Sequence, residues 1–130
     1  MAKILIVDDD SDFVNATRMV LEKRGHSISS ARNGTEGLER IRRDSPDLVI
    51  LDVMMDSVLE GLSVSRKLHD EPAWCGIPII MVTSIANTDY AELFTTDETV
   101  HIGSFLSKPV GPSDLIREVG RLVGAKDRHA

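Results

Sequence analysis

The chain has 130 residues, enough for one domain that buries a core without disulfides or structural metals. Asp and Glu (21) outnumber Lys and Arg (15), and the net charge of -6 at pH 7 argues against direct nucleic-acid binding, which needs a basic surface to neutralise phosphates. A single cysteine excludes an internal disulfide, and the apolar runs are too short for a signal peptide or a membrane span, so we expect a cytoplasmic protein without membrane insertion.

The first half of the chain alternates apolar strands with amphipathic helices. The first strand stops at three consecutive acids, and the third carries four consecutive apolar residues, which is typical of a central parallel strand buried on both faces. The apolar stripe of the first helix is Phe13, Ala16, Thr17, Val20 and Leu21. The predicted elements are a strand at Lys3–Val7, a helix that Ser11 or Asp12 caps and Gly25 closes, a polar edge strand at His26–Ser30, a helix from Asn33 to Ser45 and a strand at Asp47–Asp52.

The second half continues the alternation. Its two strands are again apolar, and its last helix has one apolar face, formed by Leu115, Ile116, Val119, Leu122 and Val123. The predicted elements are a helix at Leu62–His69, a strand at Ile77–Val82, a helix at Asn87–Phe94, a strand at His101–Leu106 and a helix that Ser113 caps and Gly124 ends. We therefore expect one domain over residues 1–124 and a short disordered tail over 125–130.

Alternating strands and helices predict an α/β fold, a parallel sheet with helices on both faces and right-handed crossovers. In such a sheet the carboxyl ends of the strands meet at one edge, where ligands bind. Five polar residues follow four different strands and should converge there: Asp8, Asp9, Asp52, Thr83 and Lys108.

Three neighbouring carboxylates need a counter-charge. At 4 Å and an effective dielectric of 20, each pair of charges repels by about 4 kcal/mol. Mg²⁺ relieves this repulsion, since it takes carboxylate oxygens and keeps waters that a phosphate can replace. Lys108 supplies a compact positive charge and Thr83 a hydroxyl donor, both suited to phosphoryl oxygens. The set favours phosphoryl transfer to an aspartate.

The motifs that carry these residues resemble one family, the response-regulator receiver domain of two-component signalling. They are Val7-Asp8-Asp9, Leu51-Asp52-Val53-Met54, Val82-Thr83-Ser84 and Phe105-Leu106-Ser107-Lys108-Pro109, and the resemblance runs from Ile4 to about Val123. It implies a flavodoxin-like (βα)5 fold, with a five-stranded parallel sheet in the order 2-1-3-4-5.

The resemblance also implies a role for each acid. Asp52 would accept a phosphoryl group from a histidine kinase or a phosphotransfer protein. Asp9 and Asp52 would bind Mg²⁺ directly, together with the backbone carbonyl of Met54, and Asp8 would act mainly through water.

Three further residues would sense the phosphoryl group. Lys108 would contact it, while Thr83 and Phe105 would form the switch pair that moves when it arrives. The resemblance then implies output through a downstream protein partner, docked on the face of the predicted fourth helix, fifth strand and last helix. That face includes Tyr90, Phe94 and His101.

The sequence departs from the family near the acceptor. Asp56 stands where many receivers have a proline, and the loop to Gly61 is one residue longer. Met54 and Ile85 place apolar side chains where a hydrolytic water would approach, which predicts slow self-dephosphorylation. The resemblance implies no enzymatic activity beyond the chain's own phosphotransfer and this slow reaction.

Other readings of the same residues stay open. A receiver-like module could bind its partners without phosphorylation. A small phosphatase of the aspartyl-phosphate type would also use Mg²⁺, and Asp8 and Asp10 supply its Asp-x-Asp pattern, although 130 residues leave little room for a cap. A flavin or nucleotide carrier of this fold is disfavoured, because acids occupy the position of its phosphate-binding loop.

Overall fold

The computed structural model describes residues 2–52, 64, 66–68, 70–74, 76–83, 102–107 and 110–128. Five parallel strands form one sheet in the order β2-β1-β3-β4-β5, as predicted. The strands are β1 (Lys3–Val7), β2 (Ser27–Ala31), β3 (Leu48–Asp52), β4 (Ile79–Thr83) and β5 (Ile102–Ser107). The helices with defined bounds are α1 (Ser11–Glu22), α2 (Gly34–Asp44) and the C-terminal helix α3 (Pro112–Arg128).

The core lies in two layers, one on each face of the sheet. Because successive strand residues point to opposite faces, Leu5 and Val7 join the layer under α2, while Ile4 and Ile6 join the layer under α1 and α3. All five residues of β3 are buried, as expected for the central strand of a sheet covered on both sides. At the edge, β2 is only partly buried, which confirms its predicted position.

Helix starts differ from the predictions. Asp10 is the N-cap of α1, accepting from the backbone N–H groups of Asp12 and Phe13, so the predicted caps Ser11 and Asp12 are wrong. In α3 the helix already includes Pro112, and Ser113 is its second residue rather than its cap. Proline suits the first helical turn because its missing N–H has no partner there in any helix.

Two other predictions for helices need correction. In α1 the predicted Thr17 and Leu21 are buried and Phe13 and Val20 pack against the core, but Ala16 is exposed, and Val14, which was not predicted, is buried. Ala16 lies two residues after Val14, about 200° around the helix, so the two side chains are on opposite faces. The C-terminal helix continues through Gly124 to Arg128, so residues 125–128 are helical rather than a disordered tail. An interior glycine costs only about 1 kcal/mol, which the flanking helix formers offset.

Parts of the second half lie outside the described residues. Residues 64, 66–68 and 70 are helical, in agreement with the predicted helix at Leu62–His69. The predicted helix at Asn87–Phe94 falls outside the described ranges. Among the described residues, none of the helices combines the length and apolar character needed to cross a bilayer.

Candidate metal centre

The register of the sheet brings two acidic strand ends together. Val7 of β1 pairs with Leu51 of β3, so the next residues, Asp8 and Asp52, leave the sheet side by side. Carboxylate oxygens of Asp8, Asp9 and Asp52 all lie within 4.8 Å of one another. The convergence that the sequence predicts for these three acids is therefore confirmed.

The three acids differ in exposure. Asp8 and Asp52 keep only 3% and 4% of their surface exposed, whereas Asp9 is exposed. Buried carboxylates are costly when charged, and neighbouring negative charges add to that cost. The pair Asp8 and Asp52 thus forms a sheltered wall, with Asp9 on the solvent side.

Backbone contacts fix the strand end that carries Asp8. Its N–H donates to the carbonyl of Ala31 at 3.0 Å, which extends the pairing of β1 with β2 by one residue. Its Oδ1 accepts from the N–H of Asp10 at 2.8 Å. Asp8 therefore ends the strand and also turns the chain into α1.

Asp10, the third acid of the run that starts at Asp8, caps a helix. Asp10 Oδ1 accepts from the N–H groups of Asp12 at 3.1 Å and Phe13 at 3.2 Å, which makes it a helix cap. Asp10 is outside the group of three acids that could hold a metal. An Asp-x-Asp site built from Asp8 and Asp10, as the phosphatase reading requires, receives no support from this arrangement.

The geometry of the three acids fits a hard divalent cation. Oxygens within 4.8 Å can share one ion, directly or through bound water. Without a cation, charges at such separations repel by about 3 to 4 kcal/mol per pair at an effective dielectric of 20. The donor set, all carboxylate oxygen, suits Mg²⁺ rather than a thiolate- or imidazole-binding metal.

Of the other four predicted site residues, the structure describes two, Thr83 and Phe105, by their strand pairing. Thr83 is the last residue of β4 and pairs with Ser107 of β5, so β4 and β5 also end at the acidic edge. Phe105 lies within β5, paired with Met81. Met54 and Lys108 lie outside the described residues, and the roles of all four residues stay predictions.

Sequence reasoning missed a cleft beside the acids, lined by two arginines as well as by carboxylates. Arg18, Ser30 and Arg32 line a cleft of about 200 Å³ whose wall includes Asp8 and Asp9. The signal available in the sequence was the spacing of Arg18 from Val14, since residues four apart share a helix face. The sequence alone could not predict the cleft, because Ser30 and Arg32 come from β2 and the loop after it, and their position next to Arg18 depends on the fold.

Sheet order and acidic edge together define a receiver-type α/β domain. The family model for the response regulator receiver domain matches residues 4–120, and the chain belongs to this family of two-component signalling proteins. No other family assignment is needed for the residues that form the sheet and the acidic site.

Known proteins agree with this assignment. PilH from Pseudomonas aeruginosa is 31% identical over 123 residues, which cover 95% of this chain and 98% of PilH. The transcriptional regulatory protein CseB from Streptomyces coelicolor is 36% identical over 85 residues, but the match covers only 35% of CseB. A CheY-like receiver domain from Methanospirillum hungatei has a TM-score of 0.85 at 27% identity, over 100% of this chain and 99% of that one.

Proposed function

We propose that this receiver accepts a phosphoryl group on Asp52 in a Mg²⁺-dependent reaction and signals by changing a surface on which a downstream protein docks. The donor is a histidine kinase or a phosphotransfer protein, acting in the cytoplasm. The observation that carries the proposal is the position of Asp52, buried at the end of the central strand and within 4.8 Å of Asp8 and Asp9.

Asp52 is suited to be the nucleophile among the three acids. It stands on the strand that is buried along its whole length, so its position is fixed on both sides by the sheet. A carboxylate oxygen of Asp52 attacks the phosphorus, forming the O–P bond while the P–N bond to the donor histidine breaks. The electron pair stays on the imidazole nitrogen, which then takes a proton.

Asp9, Asp52 and the Met54 carbonyl would hold Mg²⁺, with Asp8 acting mainly through water. Magnesium, when bound, neutralises the carboxylates and offsets the charge of the phosphoryl oxygens. The hydrogen bond from the N–H of Asp10 to Oδ1 of Asp8 supports a fixed position for that carboxylate just before α1. Lys108 would bind a phosphoryl oxygen from the end of β5.

Output would follow from the switch pair. Thr83 at the end of β4 and Phe105 in β5 stand on neighbouring strands, which supports a coupled movement of the two. The proposed docking face includes Tyr90, Phe94 and His101, which lie outside the described residues. The apolar Met54 and Ile85 would keep the phosphorylated state long-lived, because neither can orient a hydrolytic water.

The match to PilH covers 95% of this chain and 98% of PilH, so the two proteins are similar in length. The second candidate function is that of a receiver-like module that binds its partners without phosphorylation. One measurement separates it from the first.

The test is an intact-mass measurement after incubation with Mg²⁺ and a small acyl phosphate. We expect one phosphoryl group on the parent, none on Asp52→Asn, and none when EDTA is present. Labelling of Asp52→Asn at the parental level would place the acceptor elsewhere. No adduct on the parent, under conditions that label another receiver, would favour the phosphorylation-independent module.

A further inference from the structure

The cleft beside the acidic cluster collects cationic and polar groups from three elements. Arg18 comes from α1, Ser30 from β2, and Arg32 from the loop that leads into α2. Its volume is about 200 Å³, and its wall is continuous with Asp8 and Asp9. Asp52 does not line it, so the cleft is a neighbour of the proposed acceptor rather than a part of it.

Arg18 has donors that the described chain leaves unused. Its Nη2 donates to Ser30 Oγ at 3.3 Å, while its Nε is buried and has no acceptor among the described residues. Within the same residues, neither Arg18 nor Arg32 forms an ion pair with a carboxylate. A buried Nε–H without an acceptor is costly, and the other N–H groups of the guanidinium fork are charge-assisted donors that suit an oxyanion.

We propose that this cleft is a subsite for a small phosphate-type oxyanion, bound by Arg18, Arg32 and the hydroxyl of Ser30. Donors from three directions match the tetrahedral oxygens of phosphate better than the planar pair of a carboxylate. Ser30 accepts from Arg18 and keeps its own hydrogen to donate to the ligand. The amide of Asn15, also in the wall, offers a further donor.

Occupancy is coupled to the metal centre. Asp8, Asp9 and Glu36 line the cleft too, and these three carboxylates outweigh two guanidinium groups until a divalent cation binds. Because it needs a divalent cation at the three acids, the subsite rests on the proposed function. A bound cation strengthens anion binding, and by reciprocity the anion strengthens cation binding.

The test is a titration with inorganic phosphate, with and without Mg²⁺, followed by nitrogen-edited NMR at the Nε–H of Arg18. We expect a saturable shift with Mg²⁺ and binding about tenfold weaker without it, as a factor that size is typical of allosteric coupling. Arg32→Gln should weaken phosphate binding by about tenfold, the effect of one lost charge-assisted contact. Arg42→Gln is the matched control, since it removes an equal charge from the exposed face of α2, outside the cleft, and should bind like the parent.

Three results would overturn the subsite: no saturable shift at Arg18, equal affinity in Arg32→Gln and the parent, or acetate binding as tightly as phosphate. Arg32 is exposed, so its substitution leaves the fold intact and the comparison stands even if an Arg18 variant is unstable. Failure of the proposed function has a different signature. It shows as absence of the mass adduct on Asp52, a readout that does not use the Arg18 signal.

Discussion

Single residues next to the acidic edge are tightly constrained, and Gly37 of α2 is the sharpest case. A Cβ built on Gly37 would lie 3.0 and 3.1 Å from the two methyl carbons of Val7, which is fully buried immediately before Asp8. Valine has few rotamers and cannot turn aside. The helix and the strand can approach each other only because position 37 has no side chain.

Gly37→Ala should therefore destabilise the protein by about 1 kcal/mol. Overpacking costs about 1 to 3 kcal/mol, and the better helix propensity of alanine returns up to about 1 kcal/mol. Gly120→Ala is the matched control, because it is also helical and its Cβ would meet nothing within 4 Å. Urea denaturation of the two variants should give changes of opposite sign. If Gly37→Ala were more stable than the parent, the side chain of Val7 would have to move aside at little cost in free energy.

His26, in the turn between α1 and β2, should make stability depend on pH. Burial lowers its pKa below the ordinary value of about 6.5, and nearby positive charge, including Arg24, acts in the same direction. Between the two pKa values, His26 is therefore more protonated in the unfolded chain than in the folded chain. As far as His26 is concerned, the free energy of unfolding is highest above about pH 6.5. It declines as the pH falls from that value towards the pKa of His26 in the folded protein.

This dependence is measurable as the difference in Tm between the parent and His26→Gln from about pH 8 to about pH 5. The parent should lose more Tm on acidification than the variant, because glutamine does not titrate. Parallel Tm curves for the two proteins would mean that the folded and unfolded pKa values of His26 coincide.

At the scale of the elements, the N-terminus of α1 is joined to the acidic site through Asp10. Asp10 caps α1 through its side chain, and its backbone N–H holds the carboxylate of Asp8. Asp10→Ala should cost about 1 kcal/mol, the usual loss for a cap. Asp10→Asn loses the same charge but keeps the acceptor, so it should cost only a few tenths of that amount. Equal losses in urea denaturation would assign the effect to charge rather than to the cap.

Prediction from sequence succeeds for elements whose signal is local and strong. Every strand was located to within two residues, all but the polar β2 from apolar runs. The rule that parallel strands end at one edge brought Asp8, Asp9 and Asp52 together correctly. Helix ends were less accurate, because Asp10, Ser11 and Asp12 are all residue types that cap helices, and residue type alone does not distinguish among three neighbours. The cleft at Arg18 depends on packing between elements distant in sequence, and periodicity indicates only the helix face on which Arg18 lies.

At the scale of the whole molecule, we expect repulsion among the three acids to lower the stability of the fold unless a cation binds. Folding brings the carboxylates of Asp8, Asp9 and Asp52 within 4.8 Å, whereas the unfolded chain keeps Asp52 far from the other two. A cation that binds only the folded state reverses this effect, adding about 2.7 kcal/mol at a concentration hundredfold above its Kd. Mg²⁺ should thus raise Tm by several degrees in a domain of this size.

Asp9→Asn tests the link between the cation and the fold. Asp9 is exposed, so the substitution leaves the core intact while removing one charge from the cluster. In EDTA the variant should be as stable as the parent or more so, because it has less repulsion, and with Mg²⁺ it should gain less Tm than the parent. Asp12→Asn removes an equally exposed charge from the start of α1, outside the cluster, and should respond to Mg²⁺ like the parent. If Mg²⁺ raised the Tm of Asp9→Asn as much as that of Asp12→Asn, the cation would be stabilising the protein from somewhere other than these three carboxylates.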